Sequence, residues 1–176
     1  MLEHAWNNGL LTTLCDQSGS LWSKGLGGWA TIFYISKYYE FLDTYVLIIK
    51  RKKPSFLQVY HHSGIVITMW GSIVSQASWI LLVVLLNSGI HTLMYTYFFL
   101  KTIKPDLQIK QAKYLTTAQI AQFFTGIICS FPIHIIGNDC DSPASRLTSA
   151  ALMSYGVGLI LLFTAFAKKK YKKKDE

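Results

Sequence analysis

Residues 77–100 read ASWILLVVLLNSGIHTLMYTYFFL, and Lys101 follows at once. A run this long and apolar crosses a bilayer as a helix, which needs about 20 such residues. Asn87, His91 and Tyr95 interrupt it at i, i+4 and i+8, so they form a stripe on one helical face. Polar groups facing lipid cost free energy, so this face predicts a protein interior. Four further stretches of similar character lie on either side, at about 28–49, 55–73, 114–137 and 145–167. The chain therefore reads as an all-α polytopic membrane bundle of about five transmembrane helices.

The charge pattern orients these five segments. Basic residues gather at Lys50–Lys53, at Lys101, Lys104, Lys110 and Lys113, and at Lys168–Lys170 with Lys172–Lys174. The clusters follow the first, third and fifth segments. The intervening loops, near Gly71–Gln76 and Asn138–Ser145, hold no Lys or Arg. The positive-inside rule puts the clusters on the cytosolic side and these loops opposite. Three parts follow: a lumenal N-terminal segment, 1–27, a membrane domain, 28–167, and a cytosolic lysine-rich tail, 168–176. Residues 1–27 contain neither a span nor the basic start and long apolar core of a signal peptide.

Composition agrees. The chain has 176 residues, 51% of them hydrophobic and only 15% charged, against about 25% charged in soluble domains. Its mean hydropathy is +0.30. Such apolar content rules out disorder, and three cysteines rule out a disulfide scaffold. The net charge of +8 sits at membrane edges, which points to no nucleic-acid partner.

Three of the other four segments carry polar residues of their own. The first has Lys37, Glu40, Asp43 and Thr44, the second Gln58, His61 and His62, and the fourth Thr116, Gln119 and Gln122. Lys37 and Glu40 read equally as an ion pair that fixes packing and as part of a substrate site. Stripes on four helices together predict a shared cavity. Imidazole supplies a nucleophile and a base near neutral pH. A membrane di-iron site needs more histidines than His61, His62 and His91. A single zinc on these three is disfavoured, because adjacent side chains diverge by about 100° on a helix. No metal is expected, and the same count disfavours a metal-dependent oxidoreductase. Metal-free acid–base and nucleophilic chemistry remains, with Asn87, Tyr95, Gln119 and Gln122 as donors to a developing oxyanion.

In this pattern the chain resembles the ELO family of fatty-acid elongases, the very-long-chain 3-oxoacyl-CoA synthases. Lys37, Glu40, Asp43 and Thr44 match its KxxExxDT motif. Gln58, His61 and His62 occupy the histidine box HxxHH. Asn87, His91, Met94, Tyr95, Tyr97 and Phe98 match NxxxHxxMYxYY, and Thr116, Gln119, Gln122 and Phe123 match TxxQxxQF. The four occur in family order, and the resemblance runs from about Gly27 to the C-terminus. Gln58 stands for the first histidine of the box and Phe98 for a tyrosine. Two N-terminal spans of the family pattern are missing from this chain.

The resemblance implies condensation of a long-chain acyl-CoA with malonyl-CoA to a 3-oxoacyl-CoA, releasing CoA and CO2. Malonyl-CoA is then a co-substrate, and no cofactor is required. The spans would enclose an acyl-chain tunnel. His61 would be the nucleophile of an acyl-histidine intermediate, with His62 and His91 as the other catalytic residues. Lys37, Glu40, Asp43, Gln58, Asn87, Tyr95, Gln119 and Gln122 would serve substrate binding. His134 and Trp79 are candidates for the deep end that sets chain length. Partners would be the two acyl-CoAs, the lipid bilayer, a second copy of the chain and other enzymes of the elongation cycle. The alternative is a truncated, catalytically impaired relative that binds acyl chains or a full-length partner.

The C-terminal Lys173-Lys174-Asp175-Glu176 is similar to a dilysine retrieval signal, which places the chain in the endoplasmic reticulum membrane with a cytosolic C-terminus. Cys15 and Cys140 both fall on the predicted lumenal side, where disulfides persist, and are expected to pair. Cys129 lies within the fourth segment.

Overall fold

A computed structural model describes residues 15–16, 18–106, 110–136 and 142–171. The described residues form helices and turns only. We number the helices α1 (Gly27–Tyr39), α2 (Phe41–Ile49), α3 (Phe56–Val74), α4 (Ile80–Ile103), α5 (Lys110–Ser130), α6 (Pro132–Ile136) and α7 (Pro143–Tyr171). A π-helical turn, Trp22–Leu26, precedes α1 and kinks at Gly25, whose φ of 133° suits a residue without a Cβ.

Local chemistry sets the boundaries. The Ser55 side chain caps α3 by accepting from the Gln58 amide at 3.2 Å. Ser142 does the same for α7, accepting from the Ser145 amide at 3.1 Å. Pro143 then takes the first helical position, where no amide proton is needed. Pro132 divides α5 from α6, since it cannot donate to the helix before it.

The first expected span is two helices, α1 and α2, which meet at Glu40. Among the described residues, three helical stretches are long and apolar enough to cross a membrane: Ile80–Ile103, Ala112–Ile135 and Pro143–Tyr171. The first two expected spans fall short of that measure. Lys37, Glu40 and Asp43 load α1–α2 with charge, and Gln58, His61 and His62 lower the hydropathy of α3. A helical membrane bundle stands, and the polar residues that thin these two spans are those that face inward. The last helix continues past the expected edge of the membrane, through Lys168–Lys170 to Tyr171. Residues 172–176, which carry the dilysine pair, lie outside the described residues.

The bundle is held by α5 against α7, α3 against α7 and α4 against α5, with α1 on α3 and α4. Two tyrosine–glycine contacts lock α3 to α7 in reciprocal fashion. The ring of Tyr155 (α7) lies over Gly64 (α3), and the Tyr60 (α3) hydroxyl end lies over Gly158 (α7). The two rings are 5.3 Å apart. Away from the lysine clusters, buried Trp79 donates from Nε1 to Ser145 Oγ at 2.9 Å. There Asp16 accepts from the Leu21 and Trp22 amides at 2.9 and 3.0 Å, and from Ser78 Oγ at 3.0 Å. This carboxylate ties the N-terminal segment to the α3–α4 turn. Partial burial works to raise its pKa, but these bonds and one from Ser20 outweigh it and hold the carboxyl below its ordinary range. Cys15 beside it is disulfide-bonded and Cys129 is a free thiol. Cys140 lies outside the described residues.

Candidate active site

Three imidazoles meet where α3 and α4 face each other. His61 and His62 are consecutive on α3, with ring centroids 5.4 Å apart and nearly perpendicular planes. The His91 ring, from α4, stacks on His61 at 6.0 Å with an interplanar angle of 19°. Their separation in sequence is bridged because both sit on the polar stripes of their helices. Phe163 of α7 meets the His61 ring edge-on at 6.4 Å, and Phe41 of α2 borders His62 at 6.0 Å.

A cavity of about 240 Å³ opens onto this cluster. Of the residues expected at the site, Glu40, Asp43, Gln58, His61, His62, Asn87, His91, Tyr95, Gln119 and Gln122 all line it. Lys37 does not. Its ammonium is buried behind the wall, 2% exposed, donating to Glu40 Oε1 and Asn87 Oδ1, each at 2.6 Å. The Phe33 ring sits 4.3 Å away, its face toward the charge. Lys37 and Glu40 form an ion pair, and its carboxylate member reaches the cavity wall.

Tyr95 donates to Asp43 Oδ2 at 2.9 Å, which joins α4 to α2. Gln58 Nε2 donates to Thr44 Oγ1 at 3.1 Å. Here Gln58 acts as a hydrogen-bond donor to the neighbouring helix, a task its amide performs in one fixed charge state. Gln119 Nε2 lies 3.6 Å from Met94 Sδ. Glu40 Oε1 approaches His91 Nδ1 to 3.2 Å, within ion-pair reach but misaligned for a hydrogen bond. Among the described residues, His62 Nδ1, His91 Nδ1 and Glu40 Oε2 are buried without a hydrogen-bond partner. Unspent polar capacity of this kind is uncommon in a packed interior, and here it is concentrated at one cavity. Among the described residues no three His, Cys, Asp or Glu side chains are grouped so as to hold a metal ion.

Two further cavities adjoin this one. A chamber of about 60 Å³ shares His61, Asn87, Gln122 and Phe123 with it, and is otherwise walled mainly by apolar side chains such as Ile65, Val83, Leu86 and Leu152. At the basic end a third space of about 360 Å³ shares Met94, Gln119 and Phe166, and carries Lys101 and Lys170. The sequence of spaces runs from lysines, through histidines, to an apolar chamber. Trp79 and His134, expected at the deep end, are not among the residues lining that chamber. Trp79 is bonded to Ser145, and His134 lies 3.2 Å from Ser149 Oγ.

Sequence reasoning did not pick out Tyr155. Its hydroxyl donates to the His61 carbonyl at 2.7 Å, and its ring forms part of the apolar chamber wall. Phe123 of α5 lines both this chamber and the histidine cavity, and Phe163 of α7 lines the histidine cavity. The available signal was spacing: Tyr155, Leu159 and Phe163 recur at i, i+4 and i+8 on α7, one face of a helix that otherwise looks uniformly apolar.

Comparison with known proteins gives a consistent result. The model of the ELO: GNS1/SUR4 family matches residues 1–176. The chain is 36% identical over 170 residues to "Fatty acid elongase sre1" of Dictyostelium discoideum, covering 93% of this chain and 61% of that protein. It is 27% identical over 184 residues to "Fatty acid elongase 2" of Trypanosoma brucei brucei, covering 98% and 66%. It is 28% identical over 158 residues to "Very long chain fatty acid elongase 6" of Gallus gallus, covering 87% and 58%. The chain thus spans roughly three-fifths of the length of these curated relatives. No solved structure matches it.

Proposed function

This chain belongs to the ELO (GNS1/SUR4) family, and we propose that it catalyses the condensing step of fatty-acid elongation. The substrates are a long-chain acyl-CoA and malonyl-CoA, and the products are a 3-oxoacyl-CoA two carbons longer, CoA and CO2. The observation that carries this reading is the stacked His61–His91 pair at a cavity that passes into an apolar chamber.

Each space has a chemical use. The apolar chamber takes the acyl chain, where every buried methylene contributes about 0.8 kcal/mol. Lys101 and Lys170 at the basic end suit the phosphates of CoA. That arrangement sets the thioester beside the imidazoles. A neutral His61 nitrogen attacks the thioester carbon, the C–S bond breaks, and the departing thiolate takes the imidazole's other ring proton to leave as CoA. The product is a neutral acyl-imidazole, shielded from hydrolysis by the apolar wall. Malonyl-CoA then loses CO2. The resulting enolate carbon attacks the acyl carbon, the C–N bond to His61 breaks, and the imidazole regains a proton by way of His91. His62, Gln119 and Gln122 orient these groups, and no metal or organic cofactor takes part. The site belongs in the endoplasmic reticulum membrane with the lysine clusters in the cytosol, and Cys15 pairs with Cys140 on the lumenal side.

The test is incorporation of labelled malonyl-CoA into long acyl chains by the purified chain in liposomes. Wild-type protein should extend the acyl-CoA, while His61→Ala and His91→Ala should each lose at least about 100-fold. Equal activity in all three would remove the histidines from the reaction, and no extension by wild type would refute the proposal.

A further inference from the structure

Buried Lys37 has no place in the cavity wall, yet it spends two of its donors within the site: one on Glu40 and one on Asn87, fifty residues along the chain. An ammonium only donates. The atom Asn87 turns toward it must therefore be its amide oxygen, which fixes which way the amide points. Asn87 is 4% exposed and lines both the histidine cavity and the apolar chamber, whereas Lys37 lines neither. With the oxygen held behind the wall, the NH2 group is left to the side where the two spaces join.

We infer that Lys37 is a positioning residue: by holding the Asn87 oxygen, it aims the Asn87 NH2 at the junction of the two spaces, as a hydrogen-bond donor to the acyl carbonyl oxygen. The inference rests on the proposed elongase reading for the identity of that ligand. A chain lying in the apolar chamber with its head among the histidines has its carbonyl at this junction. Without Lys37 the amide is free to turn and present its oxygen, an acceptor that repels the developing oxyanion. Glu40 holds the ammonium in place from the other side. The same carboxylate oxygen stands 3.2 Å from His91 Nδ1 without accepting a hydrogen bond from it.

The decisive variant is Asn87→Asp. It keeps the shape and strengthens the bond to Lys37, but replaces the donor with an acceptor. Lys37→Met removes the hold itself, and because it leaves Glu40 buried and unpaired it can fail on folding alone. Two readouts are taken. The first is the isotope-edited infrared carbonyl band of a long-chain acyl-CoA analogue, [1-13C]-labelled, with methylene in place of the thioester sulfur. The second is kcat and KM for condensation. Wild type should shift the carbonyl band to lower frequency. Asn87→Asp should abolish that shift, unfold at a temperature no lower than wild type, and lose about 100- to 1,000-fold in kcat with KM little changed. An unshifted band in wild type, the same shift in Asn87→Asp, or an unchanged kcat in that variant would overturn the inference. A shifted band that Asn87→Asp removes, in a chain that condenses nothing, would strike the elongase reading and leave the donor assignment standing.

Discussion

Consider Gly64→Ala on α3. A Cβ there would stand 2.7 Å from Tyr155 Cδ2 and 3.0 Å from its Cζ, with Cε2 nearer still. Carbon atoms pack at about 3.5–4.0 Å, so the ring must retreat by roughly 1 Å. Retreat is resisted on two sides. The Tyr155 hydroxyl holds the His61 carbonyl at 2.7 Å, a bond worth about 1 kcal/mol, and the ring faces Tyr60 at 5.3 Å. Overpacking of this kind costs about 1–3 kcal/mol. Gly158→Ala, the reciprocal change, meets the Tyr60 hydroxyl end, with Cζ at 3.0 Å and Cε1 at 3.3 Å. That is the tip of a side chain that can swing, so its cost should be below about 1 kcal/mol. Unfolding in mixed micelles, followed by loss of helical signal as denaturing detergent is added, measures both. Removing the ring should remove the penalty: Gly64→Ala placed on Tyr155→Ala should cost almost nothing, a coupling of about 1–3 kcal/mol. Additive effects, or Gly158→Ala costing more than Gly64→Ala, would refute the account of how α3 and α7 are joined and of what holds His61 in place.

Two further outcomes follow from the same geometry. Gly126 lines the apolar chamber, and a Cβ there meets nothing within 4 Å. Gly126→Leu should fold normally and shorten the longest acyl chain accepted by about three methylenes, a discrimination near 2.4 kcal/mol at about 0.8 kcal/mol each, read as the product chain-length profile; an unchanged profile would place the acyl chain elsewhere. Asp16, held below the ordinary carboxylate range, contributes stability above its unfolded pKa of about 3.9 and loses it as pH falls through the lower folded value. The unfolding midpoint of wild type should therefore fall toward that of Asp16→Asn as pH drops from 5 to about 2, and a constant gap between the two would show that the carboxylate does not anchor the N-terminal segment.

Much of the site was legible from spacing alone. Gln58, His61 and His62, then Asn87, His91 and Tyr95, then Gln119 and Gln122 each fall on one face of a helix, and the structure brings all eight to one cavity. Such stripes are readable because a polar face on an apolar helix has few low-energy places to go. What the stripes could not show is which polar residue touches which. Lys37 and Glu40 looked like a local pair, and nothing in their spacing announced Asn87 as the third member. The break at Glu40 was equally hidden, since neither glycine nor proline marks it. Tyr155 was missed for a different reason: an aromatic residue in an apolar helix looks the same whether it faces lipid or a neighbour, and only the glycine opposite it, Gly64, decides the matter. Among the described residues, length and window hydropathy pick out only three of the five expected spans, because a window average cannot tell a polar residue turned inward from one that weakens the span.

The acyl-histidine itself is the most direct test. Purified chain in liposomes is mixed with an isotopically labelled long-chain acyl-CoA without malonyl-CoA, quenched, digested and examined by peptide mass spectrometry. The account predicts a labelled acyl group on the peptide containing His61, released as a longer 3-oxoacyl-CoA when malonyl-CoA is added and absent from His61→Ala. Label found instead on Cys129, or none found while condensation proceeds, would contradict it.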